Sequence, residues 1–255
     1  MKFTQVRNAT IILNYNGKKI LFDPWLAKKG SLRSITSPDE KKNAIKNPTA
    51  NLPISINEIV KDIDACIITH IHIDHVDEDS MKNINKDTKV FVQNIEECLQ
   101  IKEFGFNNIE VLSENGLLFD NITLYKINGQ HGETPETAEG MSCGVILKSD
   151  NEPTTYVCGD TIWYGEVKKA INEHNPNVIV LNACDARLMD TGRLIMNLDD
   201  IKKVRETSLD SKIIISHMEA VNHAFINRCD VREFVENNCL DNIYIPNDGE
   251  SYDFK

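Results

Sequence analysis

The chain has 255 residues, 41% of them hydrophobic and 26% charged, which is enough to bury a full-sized core and excludes a disordered or fibrous chain. Its 28 Lys and Arg against 39 Asp and Glu give a formal net charge of -11, which opposes non-specific binding to nucleic acid or to anionic membranes. The seven cysteines form no CxxC pair and mostly fall inside apolar runs, so they read as small reduced hydrophobes of a cytoplasmic protein and not as disulfides or thiolate ligands.

In chain order, residues 1–25 alternate polar and apolar side chains around Asn16-Gly17, which predicts a hairpin and not a secretory leader. No apolar stretch is long enough to span a bilayer. Strand-like runs fall at 10–13, 19–22, 65–69, 90–93, 109–112 and 122–127, then at 143–147, 155–158, 178–181, 212–216 and 242–245. Several are continuous enough to be buried on both faces. Helical stretches are predicted at 95–104, with Asn94 as cap and Glu97 closing a capping box, and at 166–173, 198–207 and 231–237. Strands with helices between the later ones predict two packed sheets with helices outside them, in one domain over 1–255. The irregular segment 28–53 is long for a connection and reads either as a lid beside the site or as a surface insertion.

The most informative segment is Thr69-His70-Ile71-His72-Ile73-Asp74-His75, directly after the apolar run ending at Ile68; three of the seven histidines lie within six residues. Alternating spacing puts His70 and His72 on one side of an extended turn, while Asp74 and His75 point toward a neighbouring volume. One loop can thus serve two adjacent metal positions, but two cations need further ligands. His131 in Gly129-Gln130-His131-Gly132, Asp160 after the run at 155–158, and His217 after 212–216 each stand just past a strand end. A lone histidine satisfied by ordinary hydrogen bonds is the commoner case; the cluster makes metal ligation the stronger reading.

The HxHxDH pattern, the later His131 in its Gly-flanked turn, Gly159-Asp160-Thr161 and the final His217 resemble the metallo-β-lactamase superfamily. Ile20-Leu21-Phe22-Asp23-Pro24-Trp25 and His217-Met218-Glu219-Ala220-Val221-Asn222-His223 look more narrowly like its UlaG-type branch of lactonase-like hydrolases. The likeness spans nearly the whole chain and is weak through 28–53. It implies an α+β fold, the αββα four-layer sandwich. It also implies that His70, His72 and His131 hold one metal, Asp74, His75 and His217 a second, and that Asp160 bridges them. His72 stands where oxygen-reducing diiron relatives carry an acidic residue, which argues against redox chemistry.

Five imidazoles and two carboxylates suit zinc first, with manganese or iron as alternatives. Two such ions carry more positive charge than Asp74, Asp160 and one bridging hydroxide neutralise, so the expected reaction is hydrolysis of a small anionic substrate such as a lactone by that metal-bridging hydroxide. Asp74 is a candidate catalytic group as well as a ligand. Asp23 is either an acceptor that orients a ligand imidazole or a turn residue before Pro24. His223 either reaches the substrate or is a surface or helix-capping histidine, and His174, before Asn175-Pro176, reads as structural. Arg187, Arg193 and Arg228 are candidate anion clamps or surface charges. A phosphodiesterase or nuclease with the same metals is disfavoured by the acidic balance, and a non-catalytic metal-binding protein by the complete ligand set. Oligomeric state is not specified by these residues.

Overall fold

The computed structural model describes residues 1–134 and 140–255. Strands β1 (Lys2–Arg7), β2 (Thr10–Tyr15) and β3 (Lys18–Phe22) form an antiparallel meander. Asn16 and Gly17 both take positive φ, 49° and 74°, the turn whose twist matches that of the flanking strands. From β3 the sheet continues in parallel through β4 (Ala65–Ile67), β5 (Lys89–Val92) and β6 (Ile109–Val111). Helices α1 (Ile56–Val60), α2 (Glu78–Asn83) and α3 (Ile95–Glu103) make the crossovers that parallel pairing requires.

The second sheet repeats this plan. Strands β7 (Leu117–Phe119), β8 (Ile122–Gln130), β9 (Met141–Lys148) and β10 (Thr155–Val157) are antiparallel, and β11 (Val178–Asn182) joins β10 in parallel. A two-stranded ribbon, β12 (Arg187–Leu188) and β13 (Gly192–Arg193), precedes the parallel strands β14 (Lys212–Ser216) and β15 (Ile243–Tyr244). Helices α4 (Gly165–His174), α5 (Leu198–Thr207) and α6 (Arg228–Asn237) form the crossovers here. The last strand, β16 (Ser251–Asp253), returns to the first sheet beside β1.

Period-two alternation explains the layering. Val178 and Val180 on β11 join Ile20, Phe22, Ile67 and Phe91 in the core between the sheets. Ile179 and Leu181, on the opposite face, pack with Val167, Ile171, Ile201 and Val204 of α4 and α5. Leu21, Cys66 and Ile68 likewise turn outward to Ile59, Met81 and Ile101 of α1, α2 and α3. Both sheets are covered on both faces, so their strands read as continuous apolar runs, and each fully buried Ile, Leu or Phe contributes roughly 1.5–3 kcal/mol. This is the four-layer αββα sandwich.

The capping box expected at α3 does not form. Asn94 caps by accepting from Glu97 N at 2.8 Å, but the Glu97 carboxylate turns away to accept from Ile71 N (3.2 Å) and Gln93 Nε2 (2.6 Å). Its side chain anchors the loop after β4, a tertiary demand that overrides the local one. Segment 28–53 folds back on itself through a Leu32–Asn47 bridge, and Asn222 ties it down by bonding Ile35 N, Ile35 O and the Asn47 side chain. Among the described residues no helix is long and apolar enough to cross a membrane.

Candidate metal centre

Strands β1, β3 and β4 run the same way in the first sheet, as do β8, β10, β11 and β14 in the second. Their C-terminal ends carry Asn8, Asp23, the Thr69–His75 segment, His131, Asp160, Asn182 and His217. Gly159 makes the approach of Asp160 possible: it sits at φ 64°, and a Cβ there would overlap the Cys143 carbonyl oxygen. His217 itself adopts φ 61°, a left-handed conformation that costs energy in a non-glycine residue and is held by its amide bond to Asn8 O at 3.0 Å.

All seven predicted ligands converge. His70, His72 and His131 place three nitrogens within 4.8 Å of one another, and so do the ligand atoms of Asp74, His75 and His217. Asp160 lies between these groups: its Oδ2 is 3.2 Å from His75 Nε2, 3.7 Å from His131 Nε2 and 3.7 Å from His217 Nε2. Its Oδ1 is occupied by a 2.7 Å bond from Asn182 Nδ2. Six of the seven are buried, and His72 is half-buried.

Neighbours set each ring. His131 Nδ1 lies 3.2 Å from Leu194 O, which leaves Nε2 free toward the cluster. Asp23 accepts from Thr69 N (2.7 Å) and Thr69 Oγ1 (2.8 Å), and its Oδ2 stands 3.0 Å from His75 Nδ1. Asp23 is therefore both things considered from sequence, a residue at φ 42° in a turn and a partner of a cluster imidazole. Asn8 Nδ2 bonds Asp74 O and reaches His217 Nε2, each at 3.1 Å, and Cys184 Sγ lies 3.5 Å from His217 Nδ1. Asn8, Asn182 and Cys184 were not legible beforehand, because a single amide or thiol at a strand end carries no motif.

Electrostatics divide the cluster in two. Burial, reinforced by neighbouring imidazoles, holds His70 well below the ordinary histidine range, and burial pushes His131 down to about 4. For His75 burial acts in the same direction, but Asp160 and Asp23 outweigh it and raise the ring to about 10. His217 is likewise buried, yet Asp160, Cys184 and Asp74 lift it well above the ordinary value. Burial opposes the charge on Asp160 and Asp74, and the adjacent imidazoles still hold both carboxyls well below their usual range.

The residues fit divalent cations. With Asp23 opposite its Nδ1, His75 turns toward the cluster a fully buried Nε2 that has no aligned hydrogen-bond partner, and a nitrogen lone pair in that state is satisfied by a metal. The donor set of imidazole and carboxylate contains no thiolate, which suits a hydrolytic ion.

A cavity of about 300 Å³ opens over the cluster, floored by His72, Asp74, His131 and Asp160. His223 also lines it, buried, with an unpartnered Nδ1, and burial pushes its pKa down to about 4. Ile35, Ile71, Ile73, Leu188 and Leu194 make its apolar walls. The three arginines singled out from sequence are engaged elsewhere: Arg187 with Asp185, Arg193 with Asp200 and Arg228 with Glu219 and Asp248. The cation that lines the cavity is Arg33, from segment 28–53. The His174 ring packs at 5.0 Å from that of Tyr125 and is not part of the cavity lining over the cluster.

The Beta-lactamase superfamily domain model matches residues 18–218. The chain is 41% identical to the UPF0173 protein YddR of Bacillus subtilis (strain 168), over 100% of both chains. Among solved structures it is similar to the isothiocyanate hydrolase from Delia radicum gut bacteria, at 36% identity and a TM-score of 0.93 over 100% of this chain and 99% of that one. A possible metal-dependent hydrolase from Veillonella parvula DSM 2008 matches at 33% identity and a TM-score of 0.94, over 99% and 98%. With this fold and this His/Asp cluster, the chain belongs to the metallo-β-lactamase superfamily and is a metal-dependent hydrolase.

Proposed function

We propose that the cluster holds two divalent cations and hydrolyses a small, largely apolar electrophile, with isothiocyanates as the first class to test. His70, His72 and His131 would hold one ion, Asp74, His75 and His217 the other, and Asp160 Oδ2 would face both. Imidazole content favours zinc, with manganese or iron as alternatives. Such a pair supplies an activated water near neutral pH and polarises the electrophile.

The protein's own groups would do the rest. Asp74, held by Asn8, orients the attacking water and takes its proton on a carboxylate oxygen. His223, neutral at pH 7, donates an N–H to the heteroatom on which charge develops. Ile35 and Arg33 bring segment 28–53 over the cavity, so this segment acts as a lid that excludes water. Addition of water to the central carbon of R–N=C=S gives R–NH–C(=O)–SH, which releases R–NH₂ and carbonyl sulfide.

The observation that carries this reading is the cavity directly over the ligand cluster, walled by Ile35, Ile71, Ile73, Leu188 and Leu194, in a chain 36% identical over its full length to an isothiocyanate hydrolase. A second reading, an anionic substrate such as a lactone with an acidic tail, rests on Arg33, the guanidinium that lines the cavity. Assaying zinc-loaded protein for amine release from isothiocyanates, beside lactones and phosphodiesters, separates them. Turnover of isothiocyanates that Asp160→Asn abolishes supports the first; turnover confined to anionic lactones or phosphodiesters overturns it. The reduced, mostly buried cysteines support a cytoplasmic location.

A further inference from the structure

The cavity over the cluster opens sideways. A second cavity of about 530 Å³ shares Ile71, His72 and Ile73 with it and continues along Leu32, Val76 and Phe104. A third, of about 450 Å³, shares Arg33, Ile35, Ile73 and Leu188 with it and is lined further by Thr36, Asp190 and Thr191. Ile73 is common to all three. It is 40% exposed, although Asp74 and His75 beside it are buried. Phe104, on the second cavity, is 42% exposed. Neither side chain is held in the core, so what each contributes is a wall.

We propose that Ile73 divides the substrate-binding space into two arms and that the Leu32–Val76–Phe104 arm receives a neutral alkyl or arylalkyl substituent of the substrate. The arm's aliphatic and aromatic walls gain by shedding water onto a hydrocarbon, as any apolar surface does. Its polar border is acidic and selects against a terminal carboxylate. Asp77 is engaged by Ala27 N and Ser80 N, and Glu78 is paired with Lys82, but Asp79 has no ion-pair partner among the described residues. The opposite arm, with Arg33, Thr36 and Thr191, offers polar groups instead. This assignment rests on the hydrolase reading for the reacting end of the substrate and adds the chemistry of the far end.

The test compares kcat/KM for methyl, hexyl, 2-ethylhexyl and 5-carboxypentyl isothiocyanate on zinc-loaded wild type, Phe104→Glu and Ile73→Ala. Binding of hexan-1-ol, which is not hydrolysed, is measured alongside by calorimetry. Wild type should favour hexyl over methyl, and hexyl over 5-carboxypentyl, each by about tenfold or more. Phe104→Glu should lower the hexyl value about fivefold or more, leave methyl within about twofold, and abolish hexan-1-ol binding. Ile73→Ala should raise 2-ethylhexyl relative to hexyl about fivefold. Indifference of wild type to chain length, with no change in Phe104→Glu, overturns the proposal. If no isothiocyanate turns over but hexan-1-ol binds wild type and not Phe104→Glu, the arm stands and the substrate reading falls. If methyl isothiocyanate turns over and hexan-1-ol does not bind, the arm falls and the reaction stands.

Discussion

Asp23 Oδ2 lies 3.0 Å from Nδ1 of His75, and the same carboxylate accepts from both the amide and the hydroxyl of Thr69. One side chain thereby fixes the start of the ligand segment and the ring near its end, and it turns His75 Nε2 toward Asp160 at 3.2 Å. Asp23→Asn keeps the shape but loses the charge that faces the ring. We expect metal affinity at the Asp74–His75–His217 group to fall about 10- to 100-fold while the fold persists, measured by competition with a chelator. Unchanged affinity would show that Asp23 serves only the turn.

Among the described residues Asp160 is the one carboxylate whose oxygen approaches imidazoles of both groups. Asp160→Asn retains the bond geometry available to Asn182 but removes the anion. Turnover should drop at least about a hundredfold and one ion should be lost per chain, with the far-ultraviolet spectrum unchanged. Full activity with a normal metal content would remove Asp160 from the account.

Metal loading should release protons. His75 and His217 hold theirs at pH 7, because Asp160 with Asp23 or Asp74 outweighs burial, whereas His70 and His131 are already neutral. An imidazole must be neutral to ligate, so filling both groups should expel about two protons at pH 7. Calorimetry in buffers of different ionisation enthalpy measures this; a value near zero contradicts it.

The metal-free chain should be most stable near pH 6.5. His131 and His223 are held at about 4, and His70 well below 6.5, while the unfolded rings protonate near the ordinary value of 6.5. Between 6.5 and about 4 the unfolded state therefore binds more protons, and stability falls with falling pH by roughly 1.4 kcal/mol per unit for each ring. His75 and His217 carry protons in both states there. Above 6.5 only the folded state keeps those protons, so their contribution is lost as pH rises, for His75 through about 10 and for His217 through its own raised value. The depressed carboxyls of Asp74 and Asp160 add stability that disappears only below their ordinary value of 3.8. Urea midpoints in excess chelator at pH 4.5, 6.5 and 8.5 should pass through a maximum; a steady rise across the three would contradict this.

Much of this centre is legible in the sequence because its ligands sit at strand ends, and the strands announce themselves as apolar runs: His131 follows β8, Asp160 follows β10 and His217 follows β14. Apart from β1, the elements without a forecast are short. Helices α1 and α2 have five and six residues, too few for a 3.6-residue period, although Ser55 and Glu58 close a capping box that the sequence does spell. Strands β7 and β16 have three residues each. What the sequence hides is the partner chosen by a polar side chain. Glu97 abandons its helix cap for Ile71 N, Arg228 goes to Glu219 and Asp248, and Arg33, from the least regular segment, reaches the cavity. Those choices follow from tertiary placement, not from local pattern.

The central claim is that seven side chains from four separate parts of the chain hold a pair of cations. Elemental analysis of protein purified without added metal, then saturated with zinc and freed of excess, tests it most directly. Two equivalents per chain, falling in Asp160→Asn, are predicted; a single ion per chain at saturation, or two that are indifferent to Asp160, would contradict it.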